Sequence, residues 1–406
     1  MTHLLVLEPE AEGHPLEWLQ HLVAFLREAR PTATVTFVVA AELVEPLTQA
    51  IGEESGGRLR VLALEPDEQA RCRHRNLAVS GFARWRVMRR YLRRTGADAG
   101  HFMGLDHLTL PLALGLGRSG PRLSGILFRP SVHYREISSY RPTRRERLRD
   151  ARKALLYRLM LRNPALARVL SLDPYFPDYA AARYRGGGKV TVLPDPVCPA
   201  SPPDEPPHEP PSNRFHLLMF GALTARKGVM ELLRALDLVS DAVAGRLAVV
   251  IAGRVEPALG RPFTEAVDGL HARRPELQLH AERRWLSVQE IAALMAWCDA
   301  VMAPYQRFVG SSGVMLWAAA GRKPIVTQDY GLLGRLVADH GLGLAVDCTD
   351  PRRLAAAIET MVDEGTAGFF DARRAAAFAA ERSPRRFAAL ILGAHGIRGS
   401  GATVPT

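Results

Sequence analysis

A chain of 406 residues that is 47% hydrophobic can bury two large cores, and no apolar run approaches the roughly 20 residues that span a bilayer. Most of its net charge of +11 lies in the first half: residues 1–195 carry 30 Lys and Arg against 20 Asp and Glu, while residues 196–406 nearly balance at 23 against 22. The four cysteines have neither metal spacing nor a disulfide framework, and no basic region with a cleavage site follows Met-Thr-His, so a reducing, cytoplasmic setting is expected.

In chain order, short apolar runs predict strands near 3–8, 34–39, 59–64, 99–103, 124–128, 168–171 and 190–193. Amphipathic patterns at 15–29, 41–51, 70–95, 106–117 and 142–163 predict helices between most of them. Such alternation implies a parallel sheet covered on both faces. Two of these helices concentrate the charge, with nine arginines in Arg71–Arg94 and eight plus Lys153 in Arg141–Arg162. Interleaved apolar residues (Trp85, Met88 and Tyr91 in one, Leu148, Leu155 and Leu159 in the other) give each an apolar side.

The stretch 194–213 is dense in proline and can form neither helix nor central strand, so it reads as a linker between domains 1–193 and 214–380. The second half repeats the architecture, with strands at 215–220, 247–252, 277–281, 299–303, 323–327 and 344–347. Helical patterns there cover 227–239, 261–273, 288–297, 312–320, 331–339 and 351–363. Residues 381–406 hold one further helix, able to cross back to the first domain, and a tail. Two parallel-sheet domains joined in this way predict a cleft between facing strand ends, where open α/β sheets bind ligands.

The most informative stretch is 219–228, Met-Phe-Gly-Ala-Leu-Thr-Ala-Arg-Lys-Gly, which reads as a strand, a glycine turn and a helix entered with two adjacent cations. Free helix N–H groups together with Arg226 and Lys227 make a diphosphate cradle. Lys227 is one of only four lysines in the chain. An ordinary α/β turn with a solvated basic pair is the plain alternative.

With Val250–Gly253, Trp297–Pro304, Ala319–Val326 and Tyr330–Leu333 in order behind Gly221-Ala222-Leu223…Lys227-Gly228, the chain resembles the GT-B glycosyltransferases of family 4, the group 1 transferases. That resemblance implies two Rossmann-like domains facing across a cleft and a nucleotide-sugar as co-substrate, without a cofactor. It also implies transfer that is metal-independent and retains anomeric configuration; no acidic metal cluster is evident. It places Gly221, Gly253 and Arg254 on the donor side, with Arg226 and Lys227 acting on the departing diphosphate.

Family members usually carry Glu-x7-Glu in the donor loop. Counting back from Gly321, those places hold Phe308 and Leu316, neither able to accept a hydroxyl hydrogen bond. The family's arginine after the first glycine is Ala222 here, so Arg226 would supply that charge. The loop instead offers Arg307, Gly310, Ser311, Ser312 and Gly313, residues suited to an anion at a helix start or to a plain N-cap.

On the acceptor side, Gly13 allows a tight turn after the first strand and His14 can hydrogen-bond a sugar or phosphate near neutral pH. Asp106 opens a helix, as an N-cap or a ligand-facing acid. The resemblance implies a cleft histidine in the region of His133, which joins Arg226 and Lys227 as a catalytic candidate. The expected partners are a nucleotide-sugar and a sugar, lipid-linked or small-molecule acceptor.

The basic helices add an anionic membrane surface and a peripheral position at the inner face of a membrane, with solvated helix faces as the alternative. Nucleic acid is not expected, because no binding module accompanies the charge. Three readings stay open: an active glycosyltransferase, a relative doing epimerisation or hydrolysis of nucleotide-sugars, and a catalytically silent binding subunit.

Overall fold

The computed structural model describes residues 2–52, 57–139, 141–199 and 213–398. The centre of the expected linker, residues 200–212, and the tail from residue 399 lie outside the described residues. Contacts divide the chain into two units: Met1–His133 with Pro142–Pro196 and Arg382–Thr406, and Tyr134–Arg141 with Val197–Glu381.

The first unit holds strands β1 (His3–Glu8), β2 (Thr34–Val39), β3 (Leu59–Ala63), β4 (Ala99–Phe102), β5 (Arg122–Leu127), β6 (Leu166–Ser171) and β7 (Val190–Val192). They form one parallel sheet in the order β3-β2-β1-β4-β5-β6-β7. The second unit holds β8 (Phe215–Phe220), β9 (Leu247–Ala252), β10 (Gln278–Glu282), β11 (Ala300–Ala303), β12 (Ile325–Gln328) and β13 (Gly343–Val346), ordered β10-β9-β8-β11-β12-β13. The two expected Rossmann-like domains are therefore present. In each, strand order reverses beside its first strand, so the crevice that receives a ligand opens between β1 and β4 and between β8 and β11.

The strands are apolar because helices cover both faces of each sheet. Leu4 and Val6 point to one core of the first unit, Leu5 and Leu7 to the other. The helix Pro384–Gly393 completes the first of these cores: Phe387, Ala388, Ile391 and Leu392 are buried there, and the Phe387 ring lies 5.0 Å from that of Trp18.

Two expected helices change shape. The pattern at 70–95 is broken into Pro66–Cys72 and Leu77–Thr95, because the Asn76 side chain accepts from the amides of Ala78 and Val79 and starts a new helix. The pattern at 106–117 shortens to a 3-10 turn and Thr109–Ala113, since Gly115 and Gly117 take φ of +81° and +92°. The apolar sides of the two basic helices also part ways. Trp85, Met88 and Tyr91 are core, whereas Leu148, Leu155 and Leu159 are 75%, 56% and 39% exposed.

Candidate functional site

In the second unit the loops leaving β8, β9 and β11 are locked together by glycines. A Cβ on Gly253 (φ +152°) would lie 1.7 Å from the Gly221 carbonyl oxygen, and one on Gly228 (φ +75°) 1.9 Å from that of Pro304. Residues Ala225–Lys227 form a 3-10 turn that Gly228 ends, and the helix Val229–Leu238 follows. Its first interior bond runs from Leu232 N to Gly228 O at 3.0 Å, leaving the preceding helix amides open at the end of β8.

The two cations of this turn rest on aromatic rings. The Arg226 guanidinium sits 4.9 Å from the centroid of Phe308, and Lys227 Nζ 5.3 Å from that of Tyr305. Lys227 Nζ also comes close over Gly221, 3.1 Å from where a Cβ would be. Among the described residues neither cation forms an ion pair. Aromatic faces hold such groups with about 0.5–2 kcal/mol and leave their charge available. The Gln306 amide fixes the geometry: its N–H donates to Arg226 O at 2.7 Å and its side chain to Pro304 O and Cys348 O.

The loop from Pro304 to Gly313 is equally tied down. Ser312 caps the helix Gly313–Ala320 through Val314 N at 3.2 Å, and its hydroxyl is 2.8 Å from Tyr305 Oη. Its hydrogen-bonding capacity is thus engaged within the unit. Gln328 Nε2 donates to Phe308 O at 2.8 Å, and the Arg307 amide, at φ +49°, donates to Tyr330 Oη. Arg307 and Arg254 are exposed, Gly310 is buried, and Ser311 is half-buried. Phe308 and Leu316 are both buried, which accounts for apolar residues at these places. Ser138, from the segment assigned to this unit, accepts from Gly331 N at 2.9 Å.

Residues 214–364, which contain all of these loops, match the family model described as glycosyl transferases group 1. The second unit carries a group 1 glycosyl transferase domain. The fold of the whole chain is likewise that of known glycosyltransferases. A glycosyltransferase from Rickettsia africae aligns at 13% identity and a TM-score of 0.63 over 97% of each chain. HepE from Anabaena, solved with UDP and glucose, aligns at 17% identity and 0.58 over 96% of this chain and 97% of that one. Sucrose-phosphate synthase from Thermosynechococcus elongatus aligns at 15% and 0.64 over 97% and 96%. Comparison with curated proteins gives no match. The chain has the GT-B fold of these enzymes, and the crevice of its second unit is where Gly221, Gly253, Arg226, Lys227 and the 307–313 loop converge.

In the first unit, a cavity of about 440 Å³ opens at the switch point beside β1. It brings together three expected residues, Gly13, His14 and Asp106, with Glu8, Arg84 and Phe128, which the sequence did not single out. Gly13 takes φ +91°. His14 is exposed, and its hydrogen bond to Glu17 raises its pKa. Asp106 does not cap its own helix; its carboxylate accepts from Phe128 N at 2.9 Å and Arg129 N at 3.4 Å, fastening the exit of β5.

Arg84 is buried, donating to Cys72 O at 3.1 Å, to Ser80 Oγ at 3.2 Å and to Glu10. His107, 2.9 Å from Ser80 Oγ, is kept neutral by burial, its pKa lowered to about 4. His133 stands apart from this cavity. It is enclosed, with Nδ1 2.8 Å from Pro130 O and Nε2 3.2 Å from the buried Asp173 carboxylate, beside Phe176 and Tyr179.

Glu8 ends β1 facing Glu10, Arg84 and Arg73, and burial pushes its pKa up to about 7. Between the ordinary value of 4.5 and 7 the folded chain keeps a proton that the unfolded chain has lost. Its stabilising contribution is therefore complete below 4.5 and disappears as pH rises through 7. Glu8→Gln is expected to be more stable than wild type at pH 8 and to lose this advantage by pH 4.5, a change of up to about 3 kcal/mol. Urea denaturation of both proteins across this range checks it. Taking the difference cancels the opposite slope of His395, which burial keeps neutral to about pH 4.

Proposed function

We propose that this glycosyltransferase takes a sugar from a nucleotide-sugar and moves it to a hydroxyl of a sugar, lipid-linked or small-molecule acceptor, with retention and without a metal. The observation that carries this reading is the pair Arg226 and Lys227, without carboxylate partners among the described residues and set on aromatic faces at the switch point of the second sheet. As the bond from the anomeric carbon to the diphosphate oxygen breaks and that to the acceptor oxygen forms, negative charge grows on the leaving group. Fixed cations and open helix amides stabilise that charge without reorganising. The acceptor proton leaves with the diphosphate.

In this reading Gly221, Gly253, Arg254, Arg307, Gly310, Ser311, Ser312 and Gly313 surround the donor. Gly13, His14 and Asp106 surround the acceptor, while His133, enclosed and held by Asp173, keeps a structural place outside the chemistry. HepE, solved with UDP-glucose, supports a nucleotide-sugar donor. Among the described residues no helix is long and apolar enough to cross a membrane. The exposed leucines of the basic helix Arg144–Met160 support a peripheral position on an anionic, cytoplasmic membrane face.

A panel of nucleotide-sugars, read by thermal stabilisation and by nucleoside diphosphate release with and without EDTA, tests this function. Stabilisation by one donor and acceptor-dependent, EDTA-resistant release are expected. Absence of binding to every donor overturns the reading, and release with an isomerised sugar and no acceptor reassigns it to an epimerase. The anomeric configuration of the product, read by NMR, decides retention.

A further inference from the structure

A second concave surface of the first unit has no part in the chemistry above. It is a groove of about 700 Å³ between the C-terminal half of the helix Leu77–Thr95 and the glycine-rich loop that follows Leu114. Arg89 and Arg93, one helical turn apart, and Arg118 of the loop line it, and no Asp or Glu does. Among the described residues none of the three forms an ion pair, whereas their neighbour Arg90 is held by Glu68 at 2.8 Å. Like charges gathered without acids repel one another, and an anion relieves that repulsion.

The groove is built rather than incidental. Buried Asn163 donates to Leu112 O at 3.0 Å and Leu116 O at 2.9 Å, holding the loop in place. Gly117, at φ +92°, lies so close to Trp85 that a Cβ would fall 2.9 Å from its ring. Gly115, at φ +81°, leaves room for the Arg118 guanidinium, whose Nε is 2.8 Å from the place of a Cβ. Among the described residues the amides of Gly117, Arg118 and Ser119 donate to no backbone carbonyl. Consecutive open amides of this kind make an anion-binding concavity.

The floor decides which anion fits. It is apolar, formed by Trp85, Leu92, Leu116 and Leu123. A phosphorylated sugar or a nucleotide would find Ser119 as the one side-chain acceptor for its hydroxyl protons, since no carboxylate or side-chain amide lines the groove. A phosphodiester on a glyceride body meets guanidinium groups above and hydrocarbon below. We propose that this groove seats the phosphate of an anionic phospholipid headgroup and so fixes the first unit to the membrane surface. The inference rests on the reading that the enzyme works at an anionic membrane.

Co-sedimentation of the full chain with vesicles tests both, using phosphatidylcholine alone and phosphatidylcholine with phosphatidylglycerol. Wild type is expected to bind only the latter. The variant R89A/R93A/R118A is expected to lose on the order of 100-fold in vesicle partition, from about 1 kcal/mol per arginine near the surface. R352A/R353A/R373A removes the same charge from the second unit and is expected to lose at least tenfold less. All six arginines are exposed, so unchanged thermal unfolding is expected for both variants.

Binding that ignores phosphatidylglycerol overturns the membrane reading and the groove with it. Phosphatidylglycerol-dependent binding that falls equally in both variants overturns the groove alone. Release of wild type from the vesicles by millimolar glycerol 3-phosphate would give the groove to a soluble phosphate and overturn the lipid assignment.

Discussion

Replacing Lys227 by alanine is expected to lower donor turnover about 100-fold, the usual loss when one preorganised donor to developing charge is removed. Removing Arg226 as well is expected to take turnover below detection. Neither change is expected to unfold the protein, because neither side chain has an ion pair among the described residues and each loses only an aromatic contact. Such contacts are worth about 0.5–1 kcal/mol at an exposed site. Nucleoside diphosphate release under saturating donor, together with thermal unfolding, reads the two effects separately. Unchanged turnover in Lys227→Ala would remove this turn from the mechanism. Lys227→Arg keeps the charge and is expected to recover part of the activity, the guanidinium being bulkier over Gly221.

The second large effect concerns the glycine after β9, which packs against the end of β8. Gly253→Ala drives a Cβ to 1.7 Å from the Gly221 carbonyl in a backbone conformation that L residues rarely adopt. The expected cost is roughly 3–5 kcal/mol, or about 10 °C in Tm for a unit of this size. Gly313→Ala is the informative contrast, because a Cβ there meets nothing within 4 Å and its φ is not positive. It is expected to leave Tm unchanged or slightly raised. A loss of donor affinity in Gly313→Ala would mean that a ligand approaches the backbone at this point. A wild-type Tm for Gly253→Ala would mean that the β8 and β9 ends yield more easily than their packing implies.

The sheets were legible because their strands are buried on both faces and run as continuous apolar segments. β1, β2, β8 and β9 have the bounds expected from their apolar runs. The fold class and the strand-to-helix turn at 221–228 followed from those runs and from the glycines after them. Helix edges were less readable where a side chain, as at Asn76, or a pair of left-handed glycines, as at 115 and 117, overrides the apolar period. Partners distant in sequence were the least readable. Nothing local to Glu10 announces Arg84, 74 residues on, and nothing local to His133 announces Asp173. Glu8 carried a weak signal, as the acid at the end of the first strand of a parallel sheet. The exposure of Leu148, Leu155 and Leu159 could not be told from the core packing of Trp85, Met88 and Tyr91, since both sets keep helical spacing.

The helix Pro384–Gly393 has a consequence for biosynthesis. It supplies Phe387, Ile391 and Leu392 to a core whose members outside the C-terminal segment lie between Leu4 and Leu193. A ribosome adding about 5–20 residues per second needs about 10–40 s to go from the end of β7 to this helix. Throughout that interval the nascent first unit exposes the surface around Trp18 that Phe387 later covers. The second unit can complete its own sheet before the first is sealed. Vectorial synthesis therefore reverses the order suggested by the chain, and a stop codon just after residue 381 is expected to cripple the first unit more than the second.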